Sequence, residues 1–307
     1  TVAGNLICQA KGSGAGPVVA LLAHMDEIGF MVQGITPDGF LLIVPLGGWW
    51  NHTLPSQRVL VHTRDGRRIP GQIGTRPPHL LPESQRNQVM STDSLFIDIG
   101  ASSAEEVAAC GIRIGCAVTP DVALQPLELP HRWMGKAFDN RAGVYCMIEV
   151  MRRLAGEQLD CTLQAIGTVQ EEVGCRGASG AAFSQEPDIG IVLEGTTCND
   201  LGNVPEVSQV CKAGQGVAVS FMDGASIANR DLFKKALEVG EKEGIACQVK
   251  ASVSGGNDGG VIQRAREGIP VVVLSVPCRY IHSPSTVVNL SDVESQFALC
   301  RALLKTF

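Results

Sequence analysis

The sequence predicts an α/β fold: a mixed, mostly parallel sheet with helices on both faces, and a small β-barrel-like domain inserted near its start. Three observations lead to this prediction. Apolar runs that suit buried strands alternate with helix-like segments from residue 139 onward. A further apolar run lies at 16–24, and the stretch after it consists of short strand-like pieces cut by Gly, Pro and Asp. We therefore predict a discontinuous α/β domain at 1–29 and 129–307, and an inserted β-rich domain at 30–128.

The first elements in the chain are a buried strand and the pieces of the insertion. The run "GPVVALLAH" is continuously apolar and ends in polar residues, which is typical of a strand buried on both faces. A short helix is predicted at 103–111, with a serine cap at Ser102 or Ser103 and a glycine at its end. Turn signals at this density are typical of a small barrel, whose predicted strands are "FLLIVPL" (40–46), "RVLVHT" (58–63) and "LFIDIG" (95–100).

From residue 139 the predicted helices and strands alternate. Helical spacing of apolar side chains, ended by a glycine, predicts a long helix at 140–156. The later predicted helices are 177–184, 230–244, 258–268 and 290–307. Apolar runs between them predict strands at 161–169, 188–195, 216–223, 245–253 and 269–277. This alternation favours a sheet with helices on both faces.

Composition excludes several classes of function. The 307 residues are 45% hydrophobic and carry a net charge of −6, without runs of Lys or Arg, so nucleic-acid binding is not indicated. The apolar stretches are far shorter than the roughly 20 residues of a membrane helix. Eleven cysteines at irregular spacings, mostly in apolar runs and without a C-x-x-C pair, predict reduced thiols and a cytoplasmic protein. A nucleophilic Cys175 or Cys198 is the alternative interpretation.

Histidine and carboxylate side chains gather where the predicted strands end. In open α/β sheets, ligands bind beyond the carboxyl ends of the strands. Imidazoles and carboxylates together are the ligands expected for divalent zinc or a similar ion. Taken singly, each residue also has a structural interpretation, such as a solvated pair, a hydrogen-bonded histidine or a helix cap. Their joint occurrence favours a metal site, built from His24, Asp26, Asp139, Glu171, Glu172, Glu194 and His282.

Two ions fit this set better than one. A single catalytic zinc takes three protein ligands, whereas a carboxylate that bridges two ions lets five residues supply three bonds to each. Glu171 beside a ligand Glu172 can take a proton from water and pass it to the leaving amine. Adjacent strand residues point to opposite sides, so this pair must lie where the strand gives way to a turn. Asp26, two residues after His24, can orient the imidazole.

The sequence resembles the tetrahedral, or TET, aminopeptidases, a family of dinuclear metallopeptidases that includes glutamyl and leucyl aminopeptidases, some mislabelled as endoglucanases. The resemblance covers nearly the whole chain in the family's order, through "AHMDEIGFMV", "PLGGWW", "IPGQIGTRPPHLL", "GKAFDNRAG", "TVQEEVGCRGA", "VSGGNDGG" and "IPVVVLSVPCRYIHSP". It implies the metallo-aminopeptidase fold and two divalent ions, zinc or cobalt, bridged by Asp139. It places His24 and Glu194 on one ion, and Glu172 and His282 on the other.

The resemblance also implies an activity and an assembly. The chain would remove N-terminal residues from peptides, with Glu171 as general base and with Asp26 as the partner that orients the His24 imidazole. The insertion would be a dimerisation domain, and six dimers would form a hollow dodecamer. The chain departs from the family at Glu194, where Asp is usual. The stretch "SGGNDGG" is either a turn before a helix or a substrate contact through Gly255, Gly256 and Asp258.

Two alternative functions remain open from the sequence. The same water chemistry would serve a metal-dependent deacylase of a small amide, which would prefer a blocked substrate to one with a free amine. A catalytically silent assembly homologue is the other alternative. The departure at Glu194 favours the silent homologue, and the retention of Glu171 argues against it.

Overall fold

The computed structural model describes residues 1–307, except for the side chains of Pro78 and Gln85. Its strands are β1 (Leu6–Ala10), β2 (Val18–His24), β3 (Gly29–Ile35), β4 (Leu41–Leu46), β5 (Arg58–His62), β6 (Arg68–Gly74), β7 (Phe96–Asp98), β8 (Ala117–Pro120), β9 (Gln125–Pro126), β10 (Arg132–Gly135), β11 (Thr162–Thr168), β12 (Ile189–Thr197), β13 (Val217–Ser220), β14 (Cys247–Lys250), β15 (Val271–Arg279) and β16 (Thr286–Asn289). Its α-helices are α1 (Ala104–Ala109), α2 (Phe138–Leu154), α3 (Arg176–Gln185), α4 (Arg230–Glu243), α5 (Gly259–Gln263) and α6 (Leu290–Leu304).

The chain divides into two compact units. The α/β unit consists of Thr1–Asp26, Gln125–Ile281 and Thr286–Phe307, and the barrel unit consists of Glu27–Leu124 and His282–Ser285. One unit is a mixed sheet with helices and the other contains a closed antiparallel barrel, so the predicted fold class is confirmed. That the β-rich insertion serves dimerisation stays a prediction.

The α/β unit contains a sheet of ten strands among the described residues. Its order is β1-β11-β2-β12-β15-β16-β10-β9, with β13 paired to β15 and β14 paired to β13. Strands β11, β2, β12 and β15 are parallel neighbours, so their carboxyl ends meet at one edge of the sheet. These strands are nearly continuous apolar runs because both of their faces are covered. In β2, every residue from Val19 to His24 is buried.

Helices cover both faces of this sheet. One face packs against α2, α4 and α6, through side chains that include Met147, Leu232 and Leu299. The opposite face packs against α3 and α5, through Ala181 and Ile262. Within the described part of the chain, none of the helices combines the length and the apolar character that crossing a membrane requires.

The barrel unit closes six strands in the order β3-β4-β7-β6-β5-β8. Its core is apolar and includes the fully buried side chains of Phe30, Leu41 and Ile97. The predicted strands at 40–46, 58–63 and 95–100 correspond to β4, β5 and β7. Helix α1 confirms the predicted short helix, and the Ser103 hydroxyl caps it by accepting from the Glu106 amide at 3.3 Å.

Three element boundaries bear on the site. Helix α2 begins at Phe138, and Asp139 and Asn140 within it have non-helical backbone angles and are joined by a cis peptide. Helix α5 spans only five residues, shorter than predicted, because the chain leaves the helical conformation before Arg266, whose φ is 55°. Strand β11 ends at Thr168, so the two adjacent glutamates lie in a turn beyond it, as their adjacency predicts.

Candidate metal centre

Three carboxylates converge on one imidazole nitrogen in the α/β unit. His24 is the last residue of β2 and is 1% exposed. Its Nε2 atom lies 3.0 Å from Asp139 Oδ1, 3.6 Å from Glu194 Oε2 and 3.9 Å from Glu171 Oε2. These four residues are called the His24 cluster below. They come from the start of α2, from β12 and from the turn after β11, so the parallel strand ends bring them together.

Asp26 supports the turn that carries the two glutamates. Its carboxylate accepts from the backbone amide of Glu171 at 3.2 Å and from that of Glu172 at 3.1 Å. The same carboxylate lies 3.6 Å from His24 Nδ1, which is too long for a good hydrogen bond. The backbone carbonyl oxygen of Asp26 lies closer to Nδ1, at 3.2 Å. The side chain of Asp26 therefore contacts the glutamate turn more closely than it contacts the imidazole.

The His24 cluster concentrates negative charge in a buried place. Burial acts to lower the pKa of His24, but the charge of Glu194, the hydrogen bond to Asp139 and the nearby carboxylate of Asp26 raise it well above its usual value. Burial raises the pKa of Glu194 well above its usual range, although His24 opposes this shift. Burial also raises the pKa of Glu171 to about 7, with the charges of Asp258 and Asp139 adding to the effect. Such a cluster attracts a cation.

The donor set fits a divalent cation. His24, Asp139 and Glu194 each offer an atom within 4.8 Å of the others, and so do His24, Glu171 and Glu172. Asp139 also has a carboxylate oxygen within 4.8 Å of one of Glu172, so it stands beside both groups. Glu194 Oε1 is buried and has no hydrogen-bond partner among the described residues, as a metal-binding oxygen would. An imidazole nitrogen, which gives up its proton on binding a metal, and carboxylate oxygens at this spacing suit zinc or a similar ion.

Two side chains that sequence reasoning missed hold the cluster's backbone. Asn140 is fully buried, donates from Nδ2 to the Leu193 carbonyl at 2.7 Å, and accepts from the Gly143 amide at 3.1 Å. Gln296 on α6 is also fully buried and donates from Nε2 to the Glu194 carbonyl at 3.0 Å. Asn140 was visible in "GKAFDNR", but nothing in the sequence pattern marked Gln296.

His282 opens the short segment of the barrel unit that follows Ile281. Its Nδ1 atom lies 2.8 Å from the Gly48 carbonyl oxygen, which can only accept, so Nδ1 carries the proton. When the ring is neutral, Nε2 is then the unprotonated nitrogen, which is the form that binds metals. The role of His282 as a ligand stays a prediction.

The predicted substrate loop is tied down by buried polar contacts. Gly255 has a φ of 68° and its carbonyl accepts from the Gly224 amide at 2.7 Å. Asn257 donates from Nδ2 to Asp223 at 2.8 Å. Asp258 is fully buried and accepts from the Thr168 hydroxyl at 2.5 Å. The contact of Gly255, Gly256 and Asp258 with substrate stays a prediction.

The alternative cysteine nucleophiles have unsuitable surroundings. Burial raises the pKa of the Cys175 thiol, and the charges of Glu171 and Asp258 add to the shift. Burial also raises the pKa of Cys198, whose side chain is fully buried. A nucleophilic cysteine needs the opposite environment, one that lowers its pKa.

Comparison with known proteins gives consistent matches over the chain. The M42 glutamyl aminopeptidase family matches residues 4–299. The lysyl aminopeptidase of Pyrococcus furiosus is 38% identical, over 98% of this chain and 85% of that protein. A TET aminopeptidase from a marine sediment Thaumarchaeota archaeon has a TM-score of 0.94 at 35% identity, covering 98% of this chain and 84% of the other. The Pyrococcus horikoshii TET1 peptidase, described as assembling into a tetrahedron or a large octahedral shell, has a TM-score of 0.87 at 32% identity, covering 99% and 88%.

Proposed function

The chain belongs to the M42 glutamyl aminopeptidase family, and from this premise we propose that it cleaves N-terminal residues from peptides with two divalent ions and with Glu171 as general base. Family membership makes it a peptide hydrolase of the aminopeptidase type. One observation carries the rest of the proposal: Asp139, Glu194 and Glu171 all approach the buried Nε2 atom of His24 within 3.9 Å. Carboxylates so placed repel one another unless a cation lies among them.

Each residue of the site has a proposed task. His24, Asp139 and Glu194 would hold one ion, and Asp139 would also reach the second, to which the family pattern assigns Glu172 and His282. When bound, the ions polarise the scissile carbonyl and lower the pKa of the attacking water. Glu171 accepts a proton from that water as its oxygen bonds to the carbonyl carbon. The same carboxyl then returns the proton to the leaving amine nitrogen as the C–N bond breaks.

Glu171→Gln tests the proposal, because glutamine keeps the shape and cannot accept the proton. The assay follows hydrolysis of a panel of aminoacyl-p-nitroanilides with added zinc or cobalt, with bound metal measured by mass spectrometry. We expect the variant to bind metal as the wild type does and to lose about 100- to 10,000-fold in kcat. Glu243→Gln, an exposed glutamate on α4, is the matched control and should be fully active.

Other outcomes would change the assignment. Full turnover by Glu171→Gln would remove the glutamate from the chemistry. Preference for N-acetylated substrates over free amines would identify the deacylase. Metal-loaded wild-type protein that is inert on the whole panel would favour the silent assembly homologue.

We also propose that the chain forms a homo-oligomer, in which dimers assemble into a dodecamer. The similarity to the Pyrococcus horikoshii TET1 peptidase supports this. Light scattering should give twelve times the chain mass of 32.4 kDa. A monomer at micromolar concentration would contradict it. A cytoplasmic location remains our proposal from the spacing of the eleven cysteines.

A further inference from the structure

The two carboxylate oxygens of Glu171 face different surroundings. Oε2 points toward the His24 cluster, 3.9 Å from His24 Nε2. Oε1 accepts from the thiol of Cys175, with the sulfur 3.5 Å away. Cys175 stands four residues later, just before α3, and its own amide donates to the Glu171 carbonyl at 2.9 Å. A backbone bond and a side-chain bond thus connect the same two residues.

A second carboxylate lies behind this thiol. Asp258 is fully buried, and one of its oxygens accepts from the Thr168 hydroxyl at 2.5 Å. Its other oxygen, Oδ1, is buried and accepts no hydrogen bond from the described residues, although the nearby Cys175 thiol opposes the rise in the pKa of Asp258 that burial causes. One ligand atom each of Glu171, Cys175 and Asp258 lies within 4.8 Å of the others. Cys175 therefore belongs to a cluster with two acidic side chains, which repel each other when both are ionised.

The rotation of a glutamate carboxylate is weakly fixed by its own bonds, because the terminal torsion is broad and roughly two-fold. A donor on one oxygen is needed to keep the other in place. The thiol is suited to this task because burial and the nearby carboxylates raise its pKa, so it keeps its proton and acts as a donor. Within the described part of the chain, the Cys175 thiol is the hydrogen-bond donor to Oε1.

We propose that Cys175 is a positioning residue of the reaction: its thiol holds Glu171 Oε1 against the Asp258–Thr168 pair and so keeps Oε2 turned toward the His24 cluster. The inference rests on the proposed role of Glu171 as base. In this proposal Asp258 helps to define the position of the Glu171 carboxylate, in addition to the predicted contact of its loop with substrate.

Removing the donor is the direct test. Cys175→Ala is expected to lower kcat about 10-fold with KM within about two-fold, because one hydrogen bond is lost at the base and not at the substrate. Cys175→Ser keeps a hydroxyl donor and should restore kcat to within about three-fold. Bound metal should be unchanged in both variants. Cys247→Ala removes an equally half-buried thiol on β14 and serves as the matched control.

The pair of carboxylates provides a readout that a purely structural role of Cys175 would not move. If the thiol separates Glu171 from Asp258, the effect of Cys175→Ala should shrink to about three-fold or less in an Asp258→Ala background. Unchanged, additive losses would contradict this part of the inference. Should the alanine variant fail to fold, Cys175→Gly takes its place, since the φ of 52° at this position favours glycine.

The outcomes separate this inference from the proposed function. Wild-type kcat in Cys175→Ala or Cys175→Gly, together with an inactive Glu171→Gln, overturns the positioning role and leaves the base in place. A Cys175→Ser variant as slow as the alanine variant overturns the role of the donor. Activity in Glu171→Gln would remove both proposals.

Discussion

Replacing Asp26 by alanine should disturb the glutamate turn more than the imidazole of His24. The carboxylate of Asp26 accepts two backbone amides, those of Glu171 and Glu172, at 3.2 and 3.1 Å. The imidazole Nδ1 keeps the backbone carbonyl of residue 26 as an acceptor at 3.2 Å, because that carbonyl survives the substitution. We therefore expect the base to lose its position while His24 keeps its orientation.

The size of the effect follows from these two bonds. Hydrogen bonds to a charged acceptor contribute about 1.5–3 kcal/mol each. The two N···O distances here are at the long end of the usual range for such bonds. The Asp26 side chain is 25% exposed, so water can replace part of what is lost. We expect the free energy of unfolding to fall by about 2 kcal/mol. Loss of a residue that hydrogen-bonds to the ligands of a metal site typically lowers activity about 10- to 100-fold. We expect kcat of Asp26→Ala to fall by a factor in that range.

The assay compares three quantities in the same preparation: kcat on the best p-nitroanilide, metal affinity by competition with a chromophoric chelator, and the free energy of unfolding in urea. Asp98→Ala is the control. Its carboxylate also accepts a backbone amide, that of Gly100 at 2.7 Å, but in a barrel turn. That variant should keep full kcat. A loss of metal affinity of 10-fold or more in Asp26→Ala, with kcat of the loaded enzyme unchanged, would refute this reasoning, because it would show that Asp26 supports the metal ligands His24 or Glu172 and not the base.

Two further predictions concern stability. Burial raises the pKa of Asp292 to about 6, although two backbone N–H donors and the charge of Arg132 act to lower it. The carboxyl of the unfolded chain titrates near 3.8, so the folded state binds the proton more tightly than the unfolded state. The free energy of unfolding should then fall by about 2–3 kcal/mol between pH 4 and 6, and Asp292→Asn should flatten that part of the curve in urea titrations; an equal slope would contradict this. Gly177→Ala on α3 would place a Cβ 2.3 Å from Asn5 Oδ1 and should cost about 2 kcal/mol in the same assay. Gly180→Ala on the same helix meets no atom within 4 Å and should stabilise by about 0.5–1 kcal/mol, so equal effects of the two substitutions would argue against crowding as the cause.

Sequence was sufficient where the structural signal is one-dimensional. The parallel strands β2, β11 and β12 are nearly continuous apolar runs, and parallel neighbours must place their carboxyl ends at one edge. This is why His24, Glu171 and Glu194 could be brought together from their positions in the chain. The turn carrying the two glutamates followed from their adjacency, because one strand cannot present both to the same side.

Sequence was insufficient where a feature depends on tertiary register. Strands β10 and β16 have only four residues each, so neither has a periodicity to detect. They pair with each other although they are far apart in the chain. Asn140 contacts a carbonyl 53 residues away, and Gln296 contacts one 102 residues away. A buried amide of this kind looks like any polar residue of a helix until its distant partner is known. The sequence admits Cys175 as a nucleophile, but its contact with Glu171 could not be predicted because it depends on the turn before α3.

The glutamate at 194, where the resembled family usually has aspartate, has a backbone that is held on several sides. Residue 194 pairs in regular parallel register with Ser275 of β15. Its carbonyl accepts from Gln296, and the preceding carbonyl, of Leu193, accepts from Asn140. Strand β12 cannot shift to absorb one extra methylene without breaking these bonds. The added length must therefore be taken up by the side chain.

The side chain does so by folding back along its own strand. Glu194 Oε2 accepts from the amide of the next residue, Gly195, at 3.3 Å, and the same oxygen lies 3.6 Å from His24 Nε2. The longer arm thus delivers a carboxylate to the cluster while the backbone keeps its register, and the remaining oxygen is the buried one without a hydrogen-bond partner among the described residues. Glu194 therefore lies beside the imidazole and has one buried oxygen that could bind a cation. The glutamate at 194 consequently gives no support to a silent homologue, and the position of Glu171 beside the same imidazole favours an active enzyme.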